Sequence, residues 1–338
     1  MIFPLDQFPE KARGFLSFPN QIHMLEDELR GRFNISDENI AKAFRHGELL
    51  VMDEALFPEI VCNRELLDKK ELPFWSKVTW LDPKIITFDS IGQGANKLKE
   101  MQRSWASYSI NCFRRSALIQ EKLPYVNLKK RVFPVAIHRS PMGIFSLLDN
   151  NSMIASEKTS SLFPCGSLEF VEDHENPPSR AYLKFQEALV NFDILYGCIP
   201  ESGNKCLDAG ACPGGWTWVL RQLGCDVVAI DRTELANFLM KDSFVKFIKH
   251  DAFTIPPEEL GHFHWVCSDV ICYPERLLKW VWRWIESGLC DNMVCTIKMQ
   301  GKTDWSLIGE FENIPNSRIL HLNYNKHELT WLYHRERI

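Results

Sequence analysis

Cys206-Leu207-Asp208-Ala209-Gly210-Ala211-Cys212-Pro213-Gly214-Gly215-Trp216 runs from a short apolar stretch that ends in an acid, through a loop of small residues, into an apolar segment at helical spacing. A strand, a glycine-bearing turn and a helix in that order hold a nucleotide-type ligand at the carboxyl end of a parallel strand. Glycine serves such a loop because it has no Cβ and tolerates φ > 0, so the backbone can approach a ligand closely. Here Gly210 and Gly214 bracket Ala211, Cys212 and Pro213. The pattern Gly-x-x-x-Gly-Gly departs from the Gly-x-Gly-x-x-Gly pyrophosphate fingerprint, and no Walker lysine follows it. An acid at the loop entrance repels phosphate and suits a cationic ligand. S-adenosylmethionine meets these conditions, with a sulfonium, an ammonium, a ribose and an adenine but no phosphate.

Outward from this loop the chain alternates between strand-like and helix-like segments. A helix is expected from Ser179 to Phe192, with Ser179 at or near its N-cap, and another from Trp216 to Leu223, closed by Gly224. Val227–Asp231, Phe247–Asp251, His264–Asp269 and Met293–Lys298 read as further strands, with a helix from about Glu275 to Ser287. Arg318–Leu322 and Leu329–Tyr333 close the domain. Such alternation implies an α/β fold with a mostly parallel, doubly wound sheet. Four strands then end in Asp208, Asp231, Asp251 and Asp269, and a fifth ends in Lys298. One acid at a strand end means little, but in an open α/β sheet all five would gather at the ligand-binding edge. Asp231 follows Asp208 by 23 residues, near the spacing at which an acid meets ribose hydroxyls.

Upstream the signals are weaker. Ala12–Pro19 is an apolar run, Gln21–Arg32 has helical periodicity, and Glu48–Met52 and Phe57–Val61 read as strands. Together they suggest a small α+β unit over residues 1–83. A second unit, 84–176, opens with the β-rich Lys84–Phe88, continues with a helix over Tyr108–Leu123, and leads through Leu128–Arg139 into a strand. The Pro177-Pro178 pair forms a stiff connection into the last domain, 177–338.

The charge is uneven. Residues 77–158 carry 13 Lys and Arg against 6 Asp and Glu, although the whole chain has a net charge of −5. A local basic surface can bind a polyanion whatever the total charge. Arg114, Arg115, Lys129, Lys130, Arg131 and Arg139 are the candidate RNA contacts, interleaved with aromatic residues that can stack on bases. The same pattern also describes an edge strand guarded by charge. Apolar residues at 45% and charged residues at 25% describe an ordinary globular chain. No stretch is apolar over the roughly 18 residues a membrane helix needs, and the N-terminus lacks the basic start and apolar core of a signal peptide. The 11 cysteines form no Cys-x-x-Cys pair and the histidines show no ligand spacing. The expectation is a cytoplasmic protein with neither disulfides nor a metal. Cys212 has the chemistry of a thiol nucleophile, but its place inside the loop suits packing better.

The loop Asp208–Trp216 resembles that of the FtsJ-type RNA ribose 2′-O-methyltransferases. These enzymes share a Lys-Asp-Lys-Glu tetrad, matched in order by Lys184, Asp269 in Cys267-Ser268-Asp269, Lys298 in Ile297-Lys298, and Glu328 in His327-Glu328-Leu329-Thr330. Pro178-Ser179-Arg180, Cys212–Trp216 and Tyr333-His334-Arg335 look most like the M group of large-subunit ribosomal RNA methyltransferases. The resemblance is specific over roughly 179–338. It implies a Rossmann-like methyltransferase domain with S-adenosylmethionine at Asp208, Gly210, Cys212, Pro213, Gly214, Gly215, Trp216, Asp231, Asp251 and Asp269. It also implies a ferredoxin-like unit and a THUMP-like RNA-binding unit upstream, and a cytidine ribose in 23S-type ribosomal RNA as substrate. One departure is a short segment between Lys302 and Pro315, where relatives carry a longer helix.

The implied roles have a chemical basis. A ribose hydroxyl must lose its proton as it attacks a methyl group, and a second lysine together with burial would lower Lys298 enough to make it the base. Lys184 would hold the hydroxyl and offset charge on its oxygen, Asp269 would orient Lys298, and Glu328 would position Lys184 or the ribose. An acid beside Lys298 acts in the opposite direction on its proton. Two alternatives stay open: the same chemistry on a messenger cap or transfer RNA, and an RNA-binding protein on a vestigial methyltransferase fold.

Overall fold

The computed structural model describes residues 8–60, 71–137, 140, 142–301 and 303–336. Two compact units emerge, one of residues 1–131 with 136–169, the other of 132–135 with 170–338.

The first unit holds two four-stranded sheets. Strand β1 (Ala12–Ser17) is followed by helices α1 (Ile22–Phe33) and α2 (Asp37–Lys42), then β2 (Phe44–His46), β3 (Leu49–Asp53) and β4 (Ser76–Trp80). The order is β2-β3-β1-β4, antiparallel throughout. Phe57–Ile60 forms no strand; Phe57 turns inward and meets Phe15 at 4.7 Å, while Pro58 has no N–H to give a ladder. Val61 lies outside the described residues. The second sheet is built from β5 (Lys84–Thr87), α3 (Ile91–Met101), β6 (Trp105–Ser107), α4 (Phe113–Glu121), β7 (Gly143–Leu147) and β8 (Ser152–Ser156), in the order β5-β8-β7-β6. Successive side chains of a strand point to opposite faces. Ile144 and Ile154 therefore join the core with Leu16, Val51 and Trp80 of the first sheet. Phe145, Met153 and Ala155 face Leu98 and Ile119 of α3 and α4. The two sheets thus share one core.

Among the described residues between α4 and β7 the expected strand is absent. Residues 132–137 are irregular, with an isolated bridge at Arg131, and Pro134 removes one donor from any ladder.

The second unit is one seven-stranded sheet flanked by helices. After α5 (Ala181–Tyr196) come β9 (Lys205–Ala209), α6 (Gly215–Gln222), β10 (Asp226–Asp231), α7 (Asn237–Met240), β11 (Val245–Lys249), α8 (Pro257–Leu260), β12 (Phe263–Ser268), α9 (Pro274–Ser287), β13 (Cys290–Lys298), α10 (Trp305–Glu312), β14 (Ser317–Leu320) and β15 (Glu328–His334). The order is β11-β10-β9-β12-β13-β15-β14. The first five strands are parallel, and β15 enters antiparallel between β13 and β14. α5 starts after Arg180, which makes no side-chain cap, and runs four residues beyond the expected end to Gly197, whose φ of +73° terminates it. α9 buries Leu277, Leu278, Trp280, Val281 and Trp284 on one face, so Trp280 and Trp284 pack inward while Trp282 stays exposed. Among the described residues no helix is long and apolar enough to cross a membrane.

Candidate active site

The antiparallel entry of β15 does something a purely parallel sheet could not. It sets Glu328 directly opposite Lys298 in the ladder, and residues opposite one another project to the same face. Asp269 follows the last residue of the neighbouring β12, and Lys184 hangs from the first turn of α5. The four side chains meet. Lys184 Nζ donates to Asp269 at 3.1 and 3.2 Å, and Lys298 Nζ donates to Asp269 at 2.6 Å and to Glu328 at 3.4 Å. Lys184 also pairs with Glu328, so each lysine bridges both carboxylates.

Burial acts against the charge on Lys298, but Asp269 and Glu328 outweigh it and hold the ammonium above the usual lysine range. Of the opposing influences that the sequence left in balance, the acids prevail over burial and the second cation. Burial likewise acts to raise Asp269, yet Lys184 and Lys298 pull it below the usual carboxylate range. As it stands the tetrad is two ammonium groups and two carboxylates in mutual neutralisation.

Beside it lies the loop. Gly210, at φ +80°, gives its N–H to Ile230 O at 2.8 Å, and a Cβ there would fall 2.1 Å from Val270 Cγ2. Gly214, at φ +113°, would strike Leu239 in the same way. Both glycines are required by conformation and by space. Asp208 is buried and accepts from Thr217 Oγ1 at 2.6 Å; burial pushes its carboxyl up to about 7. It therefore braces the start of α6 from beneath. Asp231 accepts from the N–H groups of Cys212 at 3.0 Å and Thr233 at 2.9 Å, which ties the loop to β10. Asp251 resists burial and is held down at about 2 by Arg276 and Arg232, at 2.8 and 2.6 Å.

Trp216 has a different place from the one expected. Its indole stacks on Phe185 at 4.5 Å and donates to Ala181 O at 3.1 Å, so it fastens α6 to α5. Cys212 donates its thiol to Glu234 O, and burial with nearby Asp231 raises its pKa, the opposite of an activated nucleophile. Pro213 and Gly215 complete the turn into α6, where a Cβ on Gly215 would lie 2.6 Å from Ser179 Oγ.

The basic residues of the first unit fall into two groups. Lys129 and Arg131 line a cleft of about 710 Å³ together with Tyr125, Leu128 and Ser104, and Lys130 stands exposed beside them. Arg114 and Arg115 lie apart on α4, the latter with its guanidinium 5.5 Å from the Phe88 ring. Arg139 is outside the described residues.

Sequence reasoning missed Thr217, Arg232, Arg276 and Glu187. Glu187 is buried on α5 and accepts from Asn323 N and Tyr324 N at 2.9 and 3.0 Å, anchoring the segment that leads to Glu328. Its signal was the spacing Lys184-x-x-Glu187, which puts both residues on one helix face.

The strand order with this loop and tetrad defines a Rossmann-like methyltransferase domain. Residues 177–297, within the second unit, match the model of the FtsJ-like methyltransferase family. The curated relatives are more particular, each being a ribosomal RNA large subunit methyltransferase M. The protein from Alkalilimnicola ehrlichii is 34% identical over 136 residues, 39% of this chain and 37% of its own length. Those from an Azoarcus species and Alteromonas mediterranea are 30% and 33% identical over 161 and 144 residues, covering 47% and 42% of this chain and 44% and 39% of theirs. The matched stretch thus spans less than half the length of each of these relatives.

The family's cofactor is S-adenosylmethionine. The residues fit it: Asp231 stands beside the loop, and the two lysines of the tetrad are already taken by Asp269 and Glu328 and so are not free for a phosphate. Such an edge favours a cation over a phosphate.

Proposed function

We propose that this protein transfers a methyl group from S-adenosylmethionine to a ribose 2′-hydroxyl of RNA, a cytidine in large-subunit, 23S-type ribosomal RNA. One observation carries the reading: Lys184 and Lys298 converge on the Asp269 carboxylate at 3.1 and 2.6 Å while both also bridge to Glu328. Two amines held a fixed distance from one acid can receive a hydroxyl and orient it, and whichever amine is neutral can take its proton. The loop from Asp208 to Gly215, with Asp231 beside it, would hold the cofactor, which supplies a methyl group on a sulfonium.

The protonation of Lys298 sets the order of events. With both lysines charged there is no base. An added positive charge at this edge favours loss of a proton from one ammonium. Lys298 is the one better placed to give it to water, its side chain being 15% exposed against 7% for Lys184. Neutral Lys298 then accepts the hydroxyl proton as the oxygen attacks. Lys184 stays charged between Asp269 and Glu328 and stabilises the developing alkoxide. Asp269 holds both amines in register throughout.

The basic cleft around Lys129 and Arg131 would grip the RNA, in a THUMP-like unit beside a ferredoxin-like one, and the protein would work in the cytoplasm. The test is transfer of labelled methyl from S-adenosylmethionine to large-subunit ribosomal RNA. Wild type is expected to label it and Lys298→Ala to lose at least a hundredfold. Full activity in Lys298→Ala would remove the base assignment, and an inert wild type would remove the reading.

A further inference from the structure

The segment after the tetrad acid, Asp269-Val270-Ile271-Cys272-Tyr273, alternates in an unusual way. Val270 turns inward against Gly210, its Cγ2 occupying the place a Cβ would take there. Cys272 is buried too. Ile271 and Tyr273 point outward, 82% and 66% exposed, among the most exposed large apolar side chains described in the second unit. A solvated loop would gain nothing from them, and large apolar groups at a rim mark a surface that another molecule covers. Their backbone is fixed: Tyr273 caps α9, Pro274 occupies the first position of that helix, and Arg276 N donates to Tyr273 O at 3.0 Å.

We infer that Tyr273, with Ile271 beside it, is the stacking platform for the base of the nucleotide whose ribose is methylated. The inference rests on the RNA methyltransfer reading above. Tyr273 also borders a cleft with Met299, Gln300, Asp304 and Leu307, in the segment that follows Lys298. The platform therefore joins the loops after two of the tetrad strands, β12 and β13. That cleft measures about 60 Å³, far below the roughly 300 Å³ at which ligand pockets begin. The base would accordingly lie on the ring rather than enter a pocket. Stacking of this kind holds any base, because every base has a π face. It suits chemistry directed at the sugar, with sequence choice left to contacts elsewhere.

The test compares Tyr273→Ala and Tyr273→Phe in the full-length protein, reading S-adenosylmethionine affinity, RNA affinity and steady-state methyl transfer. Tyr273→Ala is expected to bind cofactor as wild type does and to lose roughly 10- to 100-fold in kcat/KM for RNA, mostly through KM. Tyr273→Phe, which keeps the ring, is expected to stay within a few-fold of wild type. Unchanged kcat/KM in Tyr273→Ala would overturn the platform, as would a Phe variant as damaged as the Ala variant. If wild type transfers no methyl, RNA affinity decides: weaker binding by Tyr273→Ala leaves the platform standing without the reaction, and equal binding removes it.

Discussion

In the second unit Lys184, Asp269, Lys298 and Glu328 are withdrawn from solvent, and each has opposite charge within 3.4 Å. In the first unit Lys129 and Lys130 stand in water on an irregular segment. A buried pair is costly to break, because removing one partner strands the other, whereas an exposed cation loses only a screened attraction. The first arrangement has the fixed geometry that the proposed reaction needs. The second suits a polyanion met at long range, where positions need not be exact to an ångström but ionic strength matters. Under the proposed function, the charge that performs chemistry is enclosed and the charge that attracts RNA is left outside.

Substitutions break this contrast in order of size. Lys298→Ala, or Lys184→Ala, should lower methyl transfer by about 10²–10⁴-fold while leaving RNA affinity near wild type, as single-turnover rates and equilibrium binding would show. Reversing Lys129, Lys130 and Arg131 to Glu should do the converse. RNA affinity would fall and the slope of log affinity against log salt would flatten by about 2 to 3, with cofactor affinity unchanged. A rate loss at saturating RNA in that triple variant would mean that the cleft residues take part in the chemistry. Thr217→Val should cost about 1–3 kcal/mol in denaturant unfolding by leaving Asp208 without its hydroxyl partner.

A smaller effect sharpens the comparison through pH. His46 in the first unit is buried, Nε2 2.9 Å from Ser146 Oγ, and His321 in the second has Nε2 3.1 Å from Lys326 O. Burial lowers both to about 4. The folded chain then refuses protons that the unfolded chain accepts below about 6.5, so stability is complete above that pH and falls between 6.5 and 4. Each histidine contributes at most about 1.4 kcal/mol per pH unit. Unfolding midpoints from pH 7.5 to 4.5 should decline, and His46→Gln should flatten the decline. An equal slope in the variant would assign the effect to other groups.

How much of this was legible in the sequence follows from geometry. A parallel sheet carries each strand end to one edge, so Asp208, Asp231, Asp251, Asp269 and Lys298 could be gathered by counting alternation alone. Lys184 and Glu328 could not, because one sits on a helix and the other on a strand whose antiparallel entry no periodicity records; only the family resemblance linked them. Nor could residue type separate roles within the loop, where Trp216 and Asp208 turn inward as braces. In the first unit the β7–β8 hairpin went unread although Asp149-Asn150-Asn151 marks its turn, and Leu128–Arg139 resembled a strand because its residue types suit one. Whether strand-like residue types become a strand is decided by pairing and packing, which residue type alone does not record.

The central claim concerns which atom receives the methyl group. Large-subunit ribosomal RNA labelled by the protein and S-adenosylmethionine, then hydrolysed in alkali, should retain the label in an alkali-resistant dinucleotide whose 5′ residue is 2′-O-methylcytidine. Label recovered on a base, in mononucleotides with a free 2′-hydroxyl, would contradict the account.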